Sequence, residues 1–236
     1  PILASVLFEL GGITLPFFCL TAVLLAVVPF VLRVTIPGSE APLEKHMRAL
    51  LKRPAMQSCI ALGVAFYLAV GAFDALWALF ISDLGASQLY IGVTLSLFTL
   101  PMILVAPVAG RYASQHNLLR LLTKSLGLAV IMITSYAFID SIWWICLPLV
   151  IHAIADAVSM PATQLAVGKA SGETALAAGQ GLFGAVGLIV AAVASLGGGY
   201  LYQTAGAAAV WITVASAMIV CLAFAYWRGR GLLEST

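Results

Sequence analysis

The sequence predicts an all-α membrane protein, and three observations lead to this prediction. Of the 236 residues, 63% are hydrophobic and 8% are charged, whereas a typical soluble domain carries about 25% charged residues. The apolar runs are long and unbroken, as in membrane helices, because strands of a membrane barrel would alternate apolar and polar residues. The basic residues are confined to alternate turns between these runs.

Seven full spans follow a short apolar opening. The opening, residues 1–8 (PILASVLF), is too short to cross a bilayer, so we expect it to be the end of a helix in a longer chain. Each later run holds enough apolar residues to cross about 30 Å of hydrocarbon. The predicted spans are 13–33, 55–82, 88–112, 118–138, 141–167, 174–202 and 206–228.

The basic residues predict the orientation of these spans. The turns SDLGAS, FIDS and YQTAGA carry no Lys or Arg, whereas the turns that alternate with them do. By the positive-inside rule the basic side is cytoplasmic, which places segment 34–54 and the C-terminus there. We expect the membrane to be the plasma (inner) membrane. The eleven basic residues are Arg33, Lys45, Arg48, Lys52, Arg53, Arg111, Arg120, Lys124, Lys169, Arg228 and Arg230.

The only long polar segment is 34–54. Its second half places Leu43, Met47, Leu50 and Leu51 on one helical face and basic residues on the other. This pattern is typical of a short helix lying on the membrane surface, and a plain solvated loop is the alternative.

This topology makes a direct prediction. Single cysteines introduced at Ser39 and at Ser235 should react with a membrane-impermeant thiol reagent only from the cytoplasmic side, because both positions lie in basic cytoplasmic segments. Labelling of either position in intact cells would contradict the orientation.

An internal repeat appears at an offset of 194 residues. The stretch VLFELGGITLPF (6–17) aligns with YLYQTAGAAAVW (200–211), so that Gly12 matches Gly206. Six spans separate the two copies, which is the spacing that parallel six-helix repeats produce.

The chain resembles the major facilitator superfamily, whose members have two six-helix halves joined by a longer cytoplasmic loop. The resemblance implies that 1–33 is the end of helix five and helix six, 34–54 the central loop, 55–228 the C-terminal six-helix bundle and 229–236 a cytoplasmic tail. The fold class is therefore a major facilitator-type bundle with one additional full helix and a helix stub. The N-terminal half of the same chain is the expected partner.

Two stretches carry this resemblance. The opening PILASVLFELGG is similar to the tail of the family's antiporter motif, although Ala4 and Ser5 replace its glycine pair. The stretch GRYASQHNLLR is similar to the family's loop signature, with Gly110, Arg111 and Arg120 in place and Ser114 where an Asp is expected.

Within the superfamily, the chain is most similar to the drug–proton antiporters and the vesicular amine transporters. AFDALW (72–77) resembles their acidic motif on helix seven, and ADAVSMP (155–161) resembles their helix-ten Asp followed by Met-Pro. The acid that the amine transporters carry on helix eleven falls near Gly184 and is absent, which disfavours a monoamine substrate.

Three ionisable residues, Asp74, His152 and Asp156, lie in the interiors of the full spans. A charge at the centre of a membrane helix costs about 2.5–3.5 kcal/mol on insertion scales, so each needs a function or a buried partner. Asp74 shares a helical face with Tyr67, Gly63 and Gly71. It is either an acid that faces a cavity or a structural residue that hydrogen-bonds to a neighbouring Ser or Tyr.

The predicted span 141–167 carries a stripe of polar residues. His152, Asp156, Ser159 and Thr163 recur at i, i+4, i+7 and i+11, so they lie on one face that must meet protein or water. An imidazole and a carboxylate four residues apart are within contact, and His titrates near neutrality, which suits proton exchange. A structural hydrogen bond between helices is the alternative.

The function predicted from these features is secondary active transport of a small organic solute, with proton-coupled drug efflux by alternating access as the leading interpretation. Proton-coupled or facilitated uptake of a metabolite is an alternative, as is a membrane sensor that kept the fold without transport. The sequence lacks GxxxxGK[ST], HExxH, GxSxG and any Cys/His metal cluster. We therefore expect no enzyme activity, no cofactor, no metal and no nucleic-acid partner, but protons, a small molecule and the lipid bilayer.

Overall fold

The computed structural model describes residues 2–33 and 43–230, and side chains from residue 47 onward in the second range. Its elements are α-helices and one 3₁₀ turn, Glu173–Ala175, with no strand in the described ranges. Ser39 and Ser235 lie outside these ranges. The helices are α1 Ile2–Gly11, α2 Thr14–Val31, α3 Leu43–Leu51, α4 Pro54–Asp83, α5 Gln88–Leu104, α6 Ala106–Gln115, α7 Leu118–Tyr136, α8 Cys146–Ser171 and α9 Leu176–Gly229.

The described helices account for seven crossings. Five single helices are long and apolar enough to span a membrane, and α5 with α6 forms a sixth, bent span. Helix α9 has 54 residues and would measure about 81 Å if it were straight, far more than one bilayer. A break at Gly206 divides it into 176–205 and 207–229, which gives the seventh span.

The break in α9 lies at a glycine of the predicted repeat. Gly206 has φ +83, and Gly12, its partner in the alignment, has φ +69 between α1 and α2. A positive φ is strained for residues with a Cβ, so glycine allows the chain to reverse there. Both aligned glycines therefore have a positive φ at a junction between two helical segments.

Proline has different effects in two of the helices. The 43° bend between α5 and α6 follows Pro101, whose carbonyl accepts a hydrogen bond from Val105 N at 2.7 Å. Pro161, in contrast, lies inside a continuous α8. A single missing N–H is tolerated in a membrane helix that is packed on several sides.

The core of the bundle is the contact between α4 and α9, which glycines bring close together. A Cβ on Gly71 would lie 2.4 Å from the carbonyl oxygen of Ala191, and one on Gly63 would lie 2.3 Å from the ring of Phe183. Ser195 Oγ donates a hydrogen bond of 2.8 Å to the Gly71 carbonyl. The face of α4 that carries Gly63 and Gly71 therefore serves helix packing.

One end of the bundle gathers the basic residues. Arg53, before α4, donates hydrogen bonds to the carbonyls of Ala170 (3.3 Å) and Ser171 (3.0 Å) at the end of α8. Arg228, near the end of α9, donates to Gln57 at 2.7 Å. The turns that carry basic residues in the sequence thus meet at one end of the bundle, which we call the basic end.

Helix α3 lies at this basic end and is amphipathic. Leu50 is buried and Met47 packs on the core, whereas Arg48 is exposed. The helix packs on α4 and α9. Of the two alternatives for this segment, the structure therefore contains the helix, at 43–51.

Helices α1 and α2 stand at the edge of the bundle. Helix α1 packs on α5, where Ser5 fills the space beside Gly92. No residue of α2 is buried, although its apolar side chains are large. The bundle therefore presents a wide apolar surface on this side.

Candidate functional site

The polar stripe of α8 is buried inside the six-helix bundle. His152 and Asp156 are 1% and 3% exposed, and His152 Nε2 lies 3.6 Å from Asp156 Oδ2. This distance exceeds a normal hydrogen bond of 2.7–3.2 Å, so a small side-chain movement makes or breaks the contact. The pair is therefore in close contact without a fixed hydrogen bond.

Tyr136 at the end of α7 reaches the other side of the imidazole. Its hydroxyl lies 3.1 Å from His152 Nδ1, and its ring is fully buried. The hydrogen bond at Nδ1 determines whether Nε2, the ring nitrogen that faces Asp156, carries a proton or a lone pair. The structure thus joins Tyr136, His152 and Asp156 in one buried cluster.

Aromatic rings enclose this cluster. The rings of Phe73 and Phe98 stand edge-to-face to the imidazole of His152, with centroids 5.9 and 5.3 Å away. Trp77 stacks on Phe73 and donates a hydrogen bond of 3.0 Å to Thr94. These rings separate the pair from solvent in this conformation, so a proton cannot exchange without a rearrangement.

The remaining stripe residues are bonded within the bundle. Ser159 Oγ lies 2.8 Å from the Ala155 carbonyl and 2.8 Å from Ser125 Oγ on α7. Thr163 Oγ1 lies 2.9 Å from the Ser159 carbonyl. Both hydroxyls therefore have partners, Thr163 within its own helix and Ser159 also across the contact between α7 and α8.

Two atoms of the His152–Asp156 pair have no hydrogen-bond partner among the described residues. They are His152 Nε2 and Asp156 Oδ1, and both are inaccessible to solvent. An unsatisfied buried polar group costs about 1–3 kcal/mol, and more if it is charged. The indole Nε1 of Trp211 is a third such atom in the described residues, and groups of this kind are uncommon in folded proteins.

Asp74 has a different environment. It is exposed on α4, and Tyr67 on the same face is half-buried against Phe183 and Gly187. The structure therefore provides one exposed acid on α4 and one buried acid on α8.

The loop-signature residues lie at the basic end, away from this pair. Gly110 faces Pro161 of α8, where an added Cβ would meet the proline ring at 3.6 Å. Arg111 and Arg120 are exposed, and neither forms an ion pair within the described part of the chain. Ser114 donates to the Arg111 carbonyl at 2.7 Å, so it caps its own helix.

The sequence pattern does not predict that Tyr136 and a set of aromatic rings surround His152. Tyr136 ends an apolar span and looks like an interfacial tyrosine, because no pattern within one helix links it to His152. The one sequence feature that could have indicated an aromatic enclosure is the number of aromatic residues in 73–80. Within the described ranges, no group of three or more His, Cys, Asp or Glu residues is placed to hold a metal ion.

The chain matches the model of a known protein family. The family model described as Major Facilitator Superfamily matches residues 59–234, which is most of the chain and includes every residue of the buried cluster. No curated protein matches the chain.

Proposed function

The chain belongs to the major facilitator superfamily, an integral membrane family of secondary transporters, and on that premise we propose that it carries out proton-coupled efflux of a small organic cation. The AFDALW and ADAVSMP stretches, which resemble the drug–proton antiporters, support this assignment. The observation that carries it is the enclosed His152–Asp156 pair with two unsatisfied polar atoms.

The enclosed pair provides a proton site that is closed to both sides of the membrane in this conformation. A charge in this setting is expensive, so gain or loss of a proton changes the energy of the enclosed state substantially. Because the pair is sealed by rings from α4, α5 and α7, proton exchange requires these helices to move. Protonation is thereby linked to the movement that alternating access needs.

Asp74 provides the complementary site. Its side chain is exposed on α4, and we expect a second six-helix half to form the opposite wall of a central cavity there. A cation bound beside Asp74 and a proton bound on Asp156 would place two positive charges within one bundle, so each binding event disfavours the other. Reciprocal linkage of this kind produces exchange of one for the other.

The experiment uses everted vesicles that contain the chain together with the N-terminal half, and ethidium as the cationic probe. Imposing an acidic interior should drive ethidium into the vesicles, with simultaneous proton release reported by a pH-sensitive dye. Ethidium movement without proton movement would contradict antiport. Movement of protons and solute in the same direction would indicate uptake, and absence of both would favour a sensor.

His152→Gln should shift the pH dependence of transport and leave part of the activity. Glutamine keeps a hydrogen-bonding group near Tyr136, but it cannot titrate beside Asp156. Initial rates of ethidium transport measured between pH 5.5 and 8.5 should therefore peak at a different pH from the parent. The control is His116→Gln, which changes an exposed histidine stacked on Tyr112 and should leave the profile unchanged. An unchanged profile in His152→Gln would separate the imidazole from proton coupling.

A further inference from the structure

An apolar groove opens at the basic end of the bundle, remote from the buried pair. It has a volume of about 430 Å³ and runs between α4 and the 207–229 part of α9, with Leu51 of α3 at its end. The exposed side chains on this side of α9 are apolar, so the groove faces the hydrocarbon of the bilayer. Its lining residues include Leu51, Gln57, Ile60, Val64, Cys221 and Phe224.

A hydrogen-bond chain holds a cation at the mouth of this groove. Gln57 donates to the carbonyl of Leu51 at 2.9 Å and accepts from Arg228 Nε at 2.7 Å. A guanidinium has five N–H donors, so Arg228 keeps most of them available. Trp227, exposed beside it, lies within 5.8 Å of the guanidinium and is typical of the membrane interface.

Two further cations stand at the same mouth. Lys52 directly follows Leu51 in the turn after α3, Arg48 lies one helical turn earlier within α3, and both residues are exposed. None of the three cations forms an ion pair within the part of the chain that the structure describes. Arg53, in contrast, is already bonded to the end of α8.

We propose that this groove is a binding site for an anionic phospholipid. One acyl chain lies in the groove against Ile60, Val64 and Phe224, and the phosphate is bound by Arg228 and Lys52 at the level of the headgroups. The combination of an apolar slot and a cationic mouth matches an amphipathic anion, and a basic pocket between membrane helices is a known type of lipid site. Arg48 adds long-range attraction.

The test is native mass spectrometry of the purified chain, titrated with palmitoyl-oleoyl phosphatidylglycerol or with phosphatidylcholine carrying the same chains. We expect retention of one phosphatidylglycerol in preference to phosphatidylcholine. Each cation that contacts the bound headgroup contributes about fivefold to anionic-lipid affinity, so Lys52→Gln with Arg228→Gln should reduce retention about 25-fold. Lys169→Gln, an exposed cation at the same end on α8, is the charge control and should change nothing.

A second variant tests the groove separately from the charges. Val64→Trp fills the slot without removing a cation, and it should also reduce phosphatidylglycerol retention while circular dichroism remains unchanged. Equal retention of the two lipids by the parent would overturn the proposal, as would a loss in Lys169→Gln as large as in the double variant. Unchanged retention in Val64→Trp would also overturn it, and so would a dimer cross-linked through Cys221 in the groove, which would identify a second copy as the occupant.

Discussion

Asp156→Asn abolishes proton-driven ethidium accumulation while the chain still folds: this is the result we expect, because Asp156 is the only buried acid among the side chains that the structure describes. Asparagine keeps the shape of the side chain and can hydrogen-bond, but it cannot carry a proton. The unpartnered Oδ1 and the 3.6 Å separation from His152 mean that little hydrogen bonding is lost. Coupling should therefore suffer far more than stability.

The size of this effect follows from the driving force. A gradient of one pH unit is worth about 1.4 kcal/mol per proton and supports about tenfold accumulation if one proton is exchanged. Asp156→Asn should remove this tenfold gain and leave the distribution set by leak or by the membrane potential. The measurement is steady-state ethidium in vesicles at pH differences of zero, one and two units.

The matched control is Asp140→Asn. Asp140 is exposed in the turn before α8, so the same chemical change is made outside the bundle and should leave accumulation intact. The thermal midpoint in detergent should be similar for the parent and both variants. If Asp156→Asn accumulates ethidium as steeply as the parent, Asp156 is a structural residue and the pair is not the proton site.

Gly71→Ala should cause the largest loss of stability. The new methyl group would lie 2.4 Å from the Ala191 carbonyl oxygen and 2.7 Å from its Cα, and backbone atoms cannot rotate aside as a side chain can. Helices α4 and α9 must separate, which also stretches the bond from Ser195 to the Gly71 carbonyl. Overpacking of this kind costs about 1–3 kcal/mol, or about 2–12 °C in the thermal midpoint of a chain of this size.

Gly181→Ala is the matched control for this prediction. It makes the same substitution in α9 at an exposed position where an added Cβ meets nothing within 4 Å. Alanine favours helix more than glycine does, so the midpoint should stay the same or rise. A fall of equal size in both variants would show that loss of glycine itself, and not the contact with Ala191, is responsible.

The sequence by itself determined the architecture of this chain. The length of each apolar run predicts each crossing, because a helix must cover about 30 Å of hydrocarbon with its own side chains. The repeat that aligns Gly12 with Gly206 predicts the equivalent joints, because the conformation of a glycine turn is a local property. The stripe from His152 to Thr163 follows from helical periodicity alone.

Only the tertiary structure decided the environment of the ionisable residues. Asp74 and Asp156 look alike in sequence, as single acids in apolar helices, yet the first is exposed and the second is enclosed. Tyr136 meets His152 across two helices, and the rings of Phe73 and Phe98 come from two more. Periodicity assigns a residue to a face of its own helix, but what that face meets depends on contacts between residues far apart in the chain.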